Sequence, residues 1–163
     1  FTSISETRQP DEVVNMLNSL FDAMVKEILA QGGQVDKFIG DAVMAIFRGN
    51  FHLDRAIDAC LAVRTQVEKI SADGYQPKVS TGINTGEMIS GNIGSASLKR
   101  LDFTVIGDVV NVAQRLQAAA GPGQILIPQH AYNLVKESFN CKPVGEKQLK
   151  HKAEPVMVYE VLD

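Results

Sequence analysis

Residues 34–47 read QVDKFIGDAVMAIF, two apolar arms on either side of a Gly40-Asp41 pair. A Gly-Asp pair between apolar arms is typical of a tight turn, so this stretch predicts a β-hairpin. On both sides the spacing becomes helical, because apolar residues recur every three or four positions over 10–30 and again over 52–71. The centre of this region is therefore expected to be a hairpin between two helices.

Further along, short apolar segments separated by Gly, Asp and Pro predict mainly strands. We expect the end of a strand and a loop over 1–9, two strands over 78–94 divided at Thr85-Gly86, strands over 102–106, 124–127, 139–149 and 155–162, and helices over 109–119 and 129–136. Hairpins mixed with packing helices predict an α+β fold, with a mostly antiparallel sheet.

Length and composition narrow the class of protein. The 163 residues suit one ordinary domain, and the formal net charge of -3 disfavours a nucleic-acid binder that relies on backbone electrostatics. Cys60 and Cys141 form no CxxC or zinc pattern, which indicates structural thiols in a reducing compartment. No apolar run approaches the length of a membrane span. Because the sequence opens on Phe1 rather than Met, we expect it to be a piece of a longer protein.

Lys37 and Asp41 interrupt the apolar pattern of the hairpin. In the predicted register Lys37 lies opposite Met44, and a lysine at that depth needs a partner or a polar cavity. Asp41 at the turn offers a carboxylate, the kind of oxygen ligand that Mg²⁺ prefers. The plainer interpretation is a good turn residue beside a lysine that extends to solvent.

Asn111 and Arg115 share a face of the helix predicted over 109–119. An Asn and an Arg side by side near a helix start suit phosphate oxygens and a sugar edge. A solvated polar face explains the same spacing. The glycine series at 82, 86, 91, 94 and 107 matches neither GxGxxG nor a Walker loop and favours turns and close packing. The three histidines have no ligand spacing.

Four segments in order resemble the class III nucleotidyl cyclase catalytic domain: FTSISE (1–6), KFIGDAVMAIF (37–47), GINTGEMISGNIG (82–94) and DFTVIGDVVNVAQRL (102–116). The resemblance covers nearly the whole chain. It implies a ferredoxin-like, palm-type fold, with residues 1–163 forming one catalytic domain whose first strand is incomplete. It also implies conversion of ATP to 3′,5′-cyclic AMP and pyrophosphate, by in-line attack of the 3′-hydroxyl on the α-phosphate with two divalent cations, Mg²⁺ or Mn²⁺.

The resemblance also implies roles for five residues around the base and the reacting phosphate. Lys37 and Thr104, with the backbone at Val105, match the positions that read the purine. Guanylyl cyclases usually carry Glu where this chain has Lys37; a lysine can only donate hydrogen bonds, which favours ATP over GTP. Asn111 matches the residue that positions the ribose. Arg115 matches the residue that stabilises charge on the α-phosphate in the transition state.

Asp41 matches the second of the family's two metal-binding aspartates. The first belongs to a D-x-x-G-F-T pattern that Phe1 and Thr2 complete, so we expect the natural protein to supply it upstream. Phe1, Thr2 and Lys150 match the positions that hold the phosphates. Where the family often has an arginine before GINTG, this chain has Ser80, with Lys78 expected on the same strand face.

The resemblance implies a head-to-tail homodimer in which each active site takes Asp41 and the Phe1 turn from one chain and the remaining site residues from the other. It leads us to expect regulatory domains upstream, no nucleic-acid partner, and a cytoplasmic location, either free or as part of a membrane-attached protein. Two alternatives stay open: a catalytically silent cyclase-like regulatory or dimerisation module, and a guanylyl cyclase, which Lys37 disfavours.

Overall fold

A computed structural model of the chain describes residues 6, 8–70, 74–95, 97, 100–149 and 154–163. For residues 100–103 only the backbone is described. The chain divides into two compact units, Phe1–Val79 and Ser80–Asp163. Within the described ranges, no helix is both long and apolar enough to cross a bilayer.

In the first unit, a β-hairpin follows one long helix and precedes another, as the sequence predicts. The elements are α1 (Pro10–Ala30), β1 (Gln34–Ile39), β2 (Ala42–Ile46) and α2 (His52–Glu68). Pro10 at the first helical position, followed by Asp11 and Glu12 in the first turn, suits the positive end of α1. Of the strand end and loop predicted over 1–9, residues 1–5 and 7 lie outside the described residues.

The core of the first unit forms where α1 packs on α2. Its buried members come from one stripe of each helix: Met16, Leu20, Met24, Val63 and Val67. Val14 and Leu29 belong to the apolar residues whose helical spacing over 10–30 predicts one buried stripe, but both are exposed, so that prediction is partly wrong. The spacing of buried residues in α1 is four throughout, from Met16 to Ile28, and at about 100° per residue Val14 and Leu29 lie outside that stripe.

The second unit contains a four-stranded sheet, a separate two-stranded ribbon and two helices. The elements are β3 (Thr81–Gly82), β4 (Ile89–Ser95), β5 (Arg100–Ile106), α3 (Asp108–Ala119), β6 (Ile125–Pro128), α4 (Gln129–Val135), β7 (Cys141–Lys147) and β8 (Val156–Val161). The sheet order is β3-β6-β8-β7, with β3 parallel to β6 and the other pairs antiparallel. The prediction of an α+β fold with mostly antiparallel strands is confirmed.

β6 lies inside the four-stranded sheet, and all four of its residues are buried. Helix α3 packs on this sheet through Val112 and Leu116, which join Leu126, Val158 and Leu149 in one apolar cluster. β4 and β5 pair with each other as an antiparallel ribbon. The two strands predicted around Thr85-Gly86 are therefore present, but they pair with different partners.

Candidate active site

The β1–β2 hairpin carries Lys37 and Asp41 in the predicted register. Lys37 pairs with Met44 across the hairpin, and Gly40 and Asp41 form the connection between Ile39 and Ala42. Gly40 has φ of +60°, the left-handed conformation that such short turns need and that glycine adopts without strain. Asp41 is consequently exposed at the tip of the hairpin.

Asp36, which the sequence analysis did not single out, lies beside Lys37. The register shifts between Val35 and Lys37, so Asp36 is the extra residue of a β-bulge. Its carboxylate is 3.5 Å from the Lys37 ammonium, and its side chain is 1% exposed while that of Lys37 is 45% exposed. The hairpin therefore presents a lysine to solvent with a buried carboxylate beneath it.

Thr104 and Val105 lie in β5, where they pair with Gly91 and Ser90 of β4. Both are almost fully buried, Thr104 at 6% exposure and Val105 at 5%. When backbone and side chain are counted together, Thr104 is the only buried polar or charged residue among those described. A ligand could therefore contact only the small part of Thr104 and Val105 that is exposed.

Asn111 and Arg115 lie together on α3, as their spacing predicts. Arg115 donates a hydrogen bond from Nη1 to the Asn111 carbonyl oxygen at 3.2 Å. The Arg115 Nε is buried and has no hydrogen-bond partner among the described residues. Asn111 is exposed and Arg115 half-buried, so the pair offers several polar hydrogen atoms on one face of the helix.

An open depression of about 510 Å³ lies beside Arg115. Its lining comes from the second half of α3 and from the residues after β7: Gln114, Arg115, Ala118, Ala119, Gln148 and Leu149. Lys150, predicted to hold phosphates, follows Leu149 in sequence but lies outside the described residues, as do Phe1 and Thr2. The lining therefore combines one arginine and two glutamines with the apolar side chains of Ala118, Ala119 and Leu149.

The predicted residues divide between the two units. Lys37 and Asp41 belong to the first, whereas Thr104, Asn111 and Arg115 belong to the second. Lys78 was expected on a strand with Ser80, but neither residue is in a strand; the Lys78 ammonium is 3.3 Å from a Glu68 carboxylate oxygen. Ser80 donates to the Gly121 carbonyl oxygen at 3.0 Å.

The described part of the chain contains no group of three or more His, Cys, Asp or Glu side chains that could hold a metal ion. Two histidines of that part bond to backbone oxygens instead, His52 to Gly49 at 3.1 Å and His130 to Thr85 at 3.0 Å. Asp41 still suits Mg²⁺, because this ion is commonly bound through one or two carboxylates together with substrate phosphates. The donor chemistry therefore fits a cation that arrives with a nucleotide.

The sequence profile described as "Adenylate and Guanylate cyclase catalytic domain" matches residues 1–162. An adenylate cyclase of Anabaena cylindrica is 33% identical over 175 residues, which cover 99% of this chain and 34% of that protein. The chain spans between 8% and 34% of the length of the first three curated adenylate cyclases it matches. It corresponds to one part of those larger proteins.

Two solved structures bear on the fold. The adenylyl cyclase CyaB from P. aeruginosa superposes with a TM-score of 0.90 at 33% identity, covering 99% of this chain and 88% of that one. The guanylyl cyclase Cya2 superposes with a TM-score of 0.81, also at 33% identity, covering 99% of this chain and 85% of that one. The expected palm-type cyclase fold is thereby confirmed. This chain belongs to the family of adenylate and guanylate cyclase catalytic domains.

Proposed function

We propose that the chain is the catalytic domain of an adenylyl cyclase, which converts ATP to 3′,5′-cyclic AMP and pyrophosphate. The observation that carries the choice of ATP is Lys37, whose side chain is 45% exposed on the hairpin. An ammonium group only donates hydrogen bonds, and adenine N1 accepts one, whereas guanine carries N1–H there. Sequence identity to solved relatives does not decide the base, since the adenylyl cyclase CyaB and the guanylyl cyclase Cya2 are both 33% identical to this chain.

Asn111 and Arg115 are the proposed catalytic residues. In the reaction the ribose 3′-oxygen loses its proton and forms a bond to the α-phosphorus, while the bond from that phosphorus to the pyrophosphate oxygen breaks. Asn111 is proposed to hold the ribose, and Arg115 to donate to the α-phosphate as charge develops on it. A donor already in place for that charge is worth a few kcal/mol in the transition state. The Arg115 Nε, buried without a partner among the described residues, supports this proposal.

Asp41 is the proposed ligand of the divalent cations. It is exposed at the hairpin tip, where a carboxylate can reach a phosphate-bound cation. When bound, two such cations, Mg²⁺ or Mn²⁺, would activate the attacking oxygen and neutralise the leaving pyrophosphate. Phe1, Thr2 and Lys150 are proposed to contact the phosphates, and the first metal aspartate to lie upstream of Phe1.

We propose a head-to-tail homodimer with two equivalent sites. Large apolar side chains are exposed within each unit: Ile89 (69%) and Ile106 (49%) pair across the β4–β5 ribbon, and Phe38 and Ile39 are exposed on the first hairpin. Exposed apolar patches of this kind commonly mark protein–protein contacts. We also propose that residues 1–163 act as one catalytic domain in the cytoplasm, where ATP is available, under regulatory domains elsewhere in the protein.

The proposal is tested by identifying the product. The protein, with the residues that precede Phe1 in its gene, is incubated with Mn²⁺ and either ATP or GTP, and products are identified by mass spectrometry. We expect cyclic AMP from ATP, with at least a ten-fold preference over cyclic GMP. Asp41→Ala should abolish the product, whereas Asp58→Ala, at an exposed position of α2, should leave it unchanged.

Each other outcome selects a different function. Cyclic GMP as the main product would make the chain a guanylyl cyclase. A folded, dimeric protein without any cyclic product from either nucleotide would overturn the enzyme proposal and favour the regulatory or dimerisation module. Equal loss of product in Asp41→Ala and Asp58→Ala would remove Asp41 from the site.

A further inference from the structure

The backbone of Gly82 in β3 lies directly against α3. A Cβ atom on Gly82 would stand 2.3 Å from the Gln117 nitrogen and 2.4 Å from the Ala113 carbonyl oxygen. Both neighbours are backbone atoms of one helix, so no side-chain movement could make room. The strand is therefore in contact with the helix that carries Asn111 and Arg115.

The loop after β3 contacts the first turn of the same helix. Asn84 donates a hydrogen bond from Nδ2 to the Val109 carbonyl oxygen at 3.2 Å. Gly86 has φ of +155°, and a Cβ there would lie 2.7 Å from Val109 Cγ2. Three residues of the GINTG stretch thus contact α3, two of them at Val109.

Asn84 and Gly86 contact the first turn of α3, where a side-chain cap is missing. The residue before the helix, Gly107, makes no side-chain capping hydrogen bond. The Asn84 Oδ1, moreover, is buried and accepts no hydrogen bond within the described ranges. The amide of Asn84 is therefore held by the helix rather than by its own loop.

The supporting contacts lie behind the proposed catalytic face. An α-helix turns by about 100° per residue, so Ala113 and Gln117 lie on roughly the opposite side of α3 from Asn111 and Arg115. Arg115 is bonded to the carbonyl oxygen of Asn111, two residues after Val109. A shift of the first turn of α3 would therefore move both side chains together.

We propose that Asn84 is a positioning residue that, together with Gly82 and Gly86, sets the place of α3 and so of Asn111 and Arg115. These residues contact α3 directly in the structure. Their effect on turnover rests on the proposed function. Displacement by about 1 Å of groups that act in the transition state can cost up to 100-fold in rate.

The test is Asn84→Asp, which keeps the size of the side chain but replaces the amide donor with a carboxylate that only accepts. Hydrogen exchange of the amides of 108–115, followed by mass spectrometry, should become at least ten-fold faster. In the product assay with ATP, kcat should fall at least ten-fold while KM changes less than about three-fold, because the loss is in the transition state. Tyr159→Phe is the matched control: it removes the hydrogen bond to Gln129 in the same unit and should change neither quantity.

If Asn84→Asp does not fold, Gly86→Ala, which would press on Val109 from the same loop, should give the same exchange pattern. Unchanged exchange over 108–115 in a folded variant would overturn the proposal. Faster exchange with unchanged kcat would overturn the link to turnover. If the unsubstituted protein makes no cyclic nucleotide, the proposed function fails on its own, and the exchange rates alone decide whether Asn84 holds α3.

Discussion

The Lys37 ammonium lies 3.5 Å from the carboxylate of its own chain neighbour, Asp36. Adjacent residues of a regular strand point to opposite faces of the sheet, so such a pair needs a break in the pattern. The β-bulge between Val35 and Lys37 supplies it. Bulges often occur beside active sites, where they redirect a side chain. The bulge brings a buried carboxylate to the lysine that is proposed to read the purine.

Asp36→Asn should weaken the placement of Lys37 without removing the lysine. Asp36 is buried but the Lys37 side chain is 45% exposed, so solvent screens the pair and the loss is of the order of 0.5–1 kcal/mol. We expect KM for ATP to rise about two- to five-fold, with a smaller change in kcat, measured by initial rates of cyclic AMP formation. Asp22→Asn, which breaks the exposed Asp22–Lys26 pair of α1, is the control and should leave KM unchanged. An equal change of KM in Asp36→Asn and Asp22→Asn would show that Asp36 does not position Lys37.

Lys37→Glu should reverse the preference for the base. A carboxylate accepts hydrogen bonds from guanine N1–H and N2–H₂ but repels the acceptor N1 of adenine. We expect kcat/KM for ATP to fall at least 100-fold and the ratio of GTP to ATP turnover to rise. The measurement is competition between the two nucleotides in one reaction. Lys26→Glu, on an exposed face of α1, should keep the original preference.

The hairpin and α1 were predictable because their rules are local. A two-residue Gly40-Asp41 connection fixes the register that sets Lys37 opposite Met44, and Pro10 with the following acids marks the start of α1. The bulge at Asp36 was not predictable, because it depends on how one strand pairs with the other. The contact of Asn84 was not predictable either, because its hydrogen bond to Val109 joins residues separated by 25 positions. A polar side chain between two glycines was the available signal.

Sharing of sites between two chains is tested by mixing Asp41→Ala with Arg115→Ala. Each variant alone should be inactive. In a two-fold symmetric dimer with shared sites, half of the randomly mixed dimers contain both variants, and each of these keeps one intact site. The mixture should therefore recover about a quarter of the unsubstituted activity. Absence of any recovery, with mixed dimers demonstrated by native mass spectrometry, would show that each site comes from one chain.

Cys60 on α2 has a thiol that is hard to ionise. Desolvation by burial raises its pKa from 9.0 to about 12, and partial burial also raises the pKa of Cys141. Since the thiolate is the reactive form, we expect Cys60, which is half-buried on α2, to react with a disulfide reagent at pH 8 more slowly in the folded than in the unfolded chain. The same raised pKa makes stability depend on pH. Below pH 9.0 the thiol is protonated in both states, whereas between pH 9.0 and about 12 only the unfolded chain releases the proton, so folding weakens as pH rises.

Urea unfolding at pH 8 and pH 10 isolates this effect of Cys60. Between the two values the unsubstituted protein should lose about 1 kcal/mol more free energy of unfolding than Cys60→Ala does. The cavity left by the alanine costs the same at both pH values, so it cancels from this difference. Cys141→Ala is the control, because it leaves the Cys60 thiol in place. It should still lose more free energy of unfolding than Cys60→Ala does, since the pKa of Cys60 is raised by fuller burial than that of Cys141. Identical pH dependence in the unsubstituted protein and Cys60→Ala would mean that the thiol is not desolvated in the folded chain.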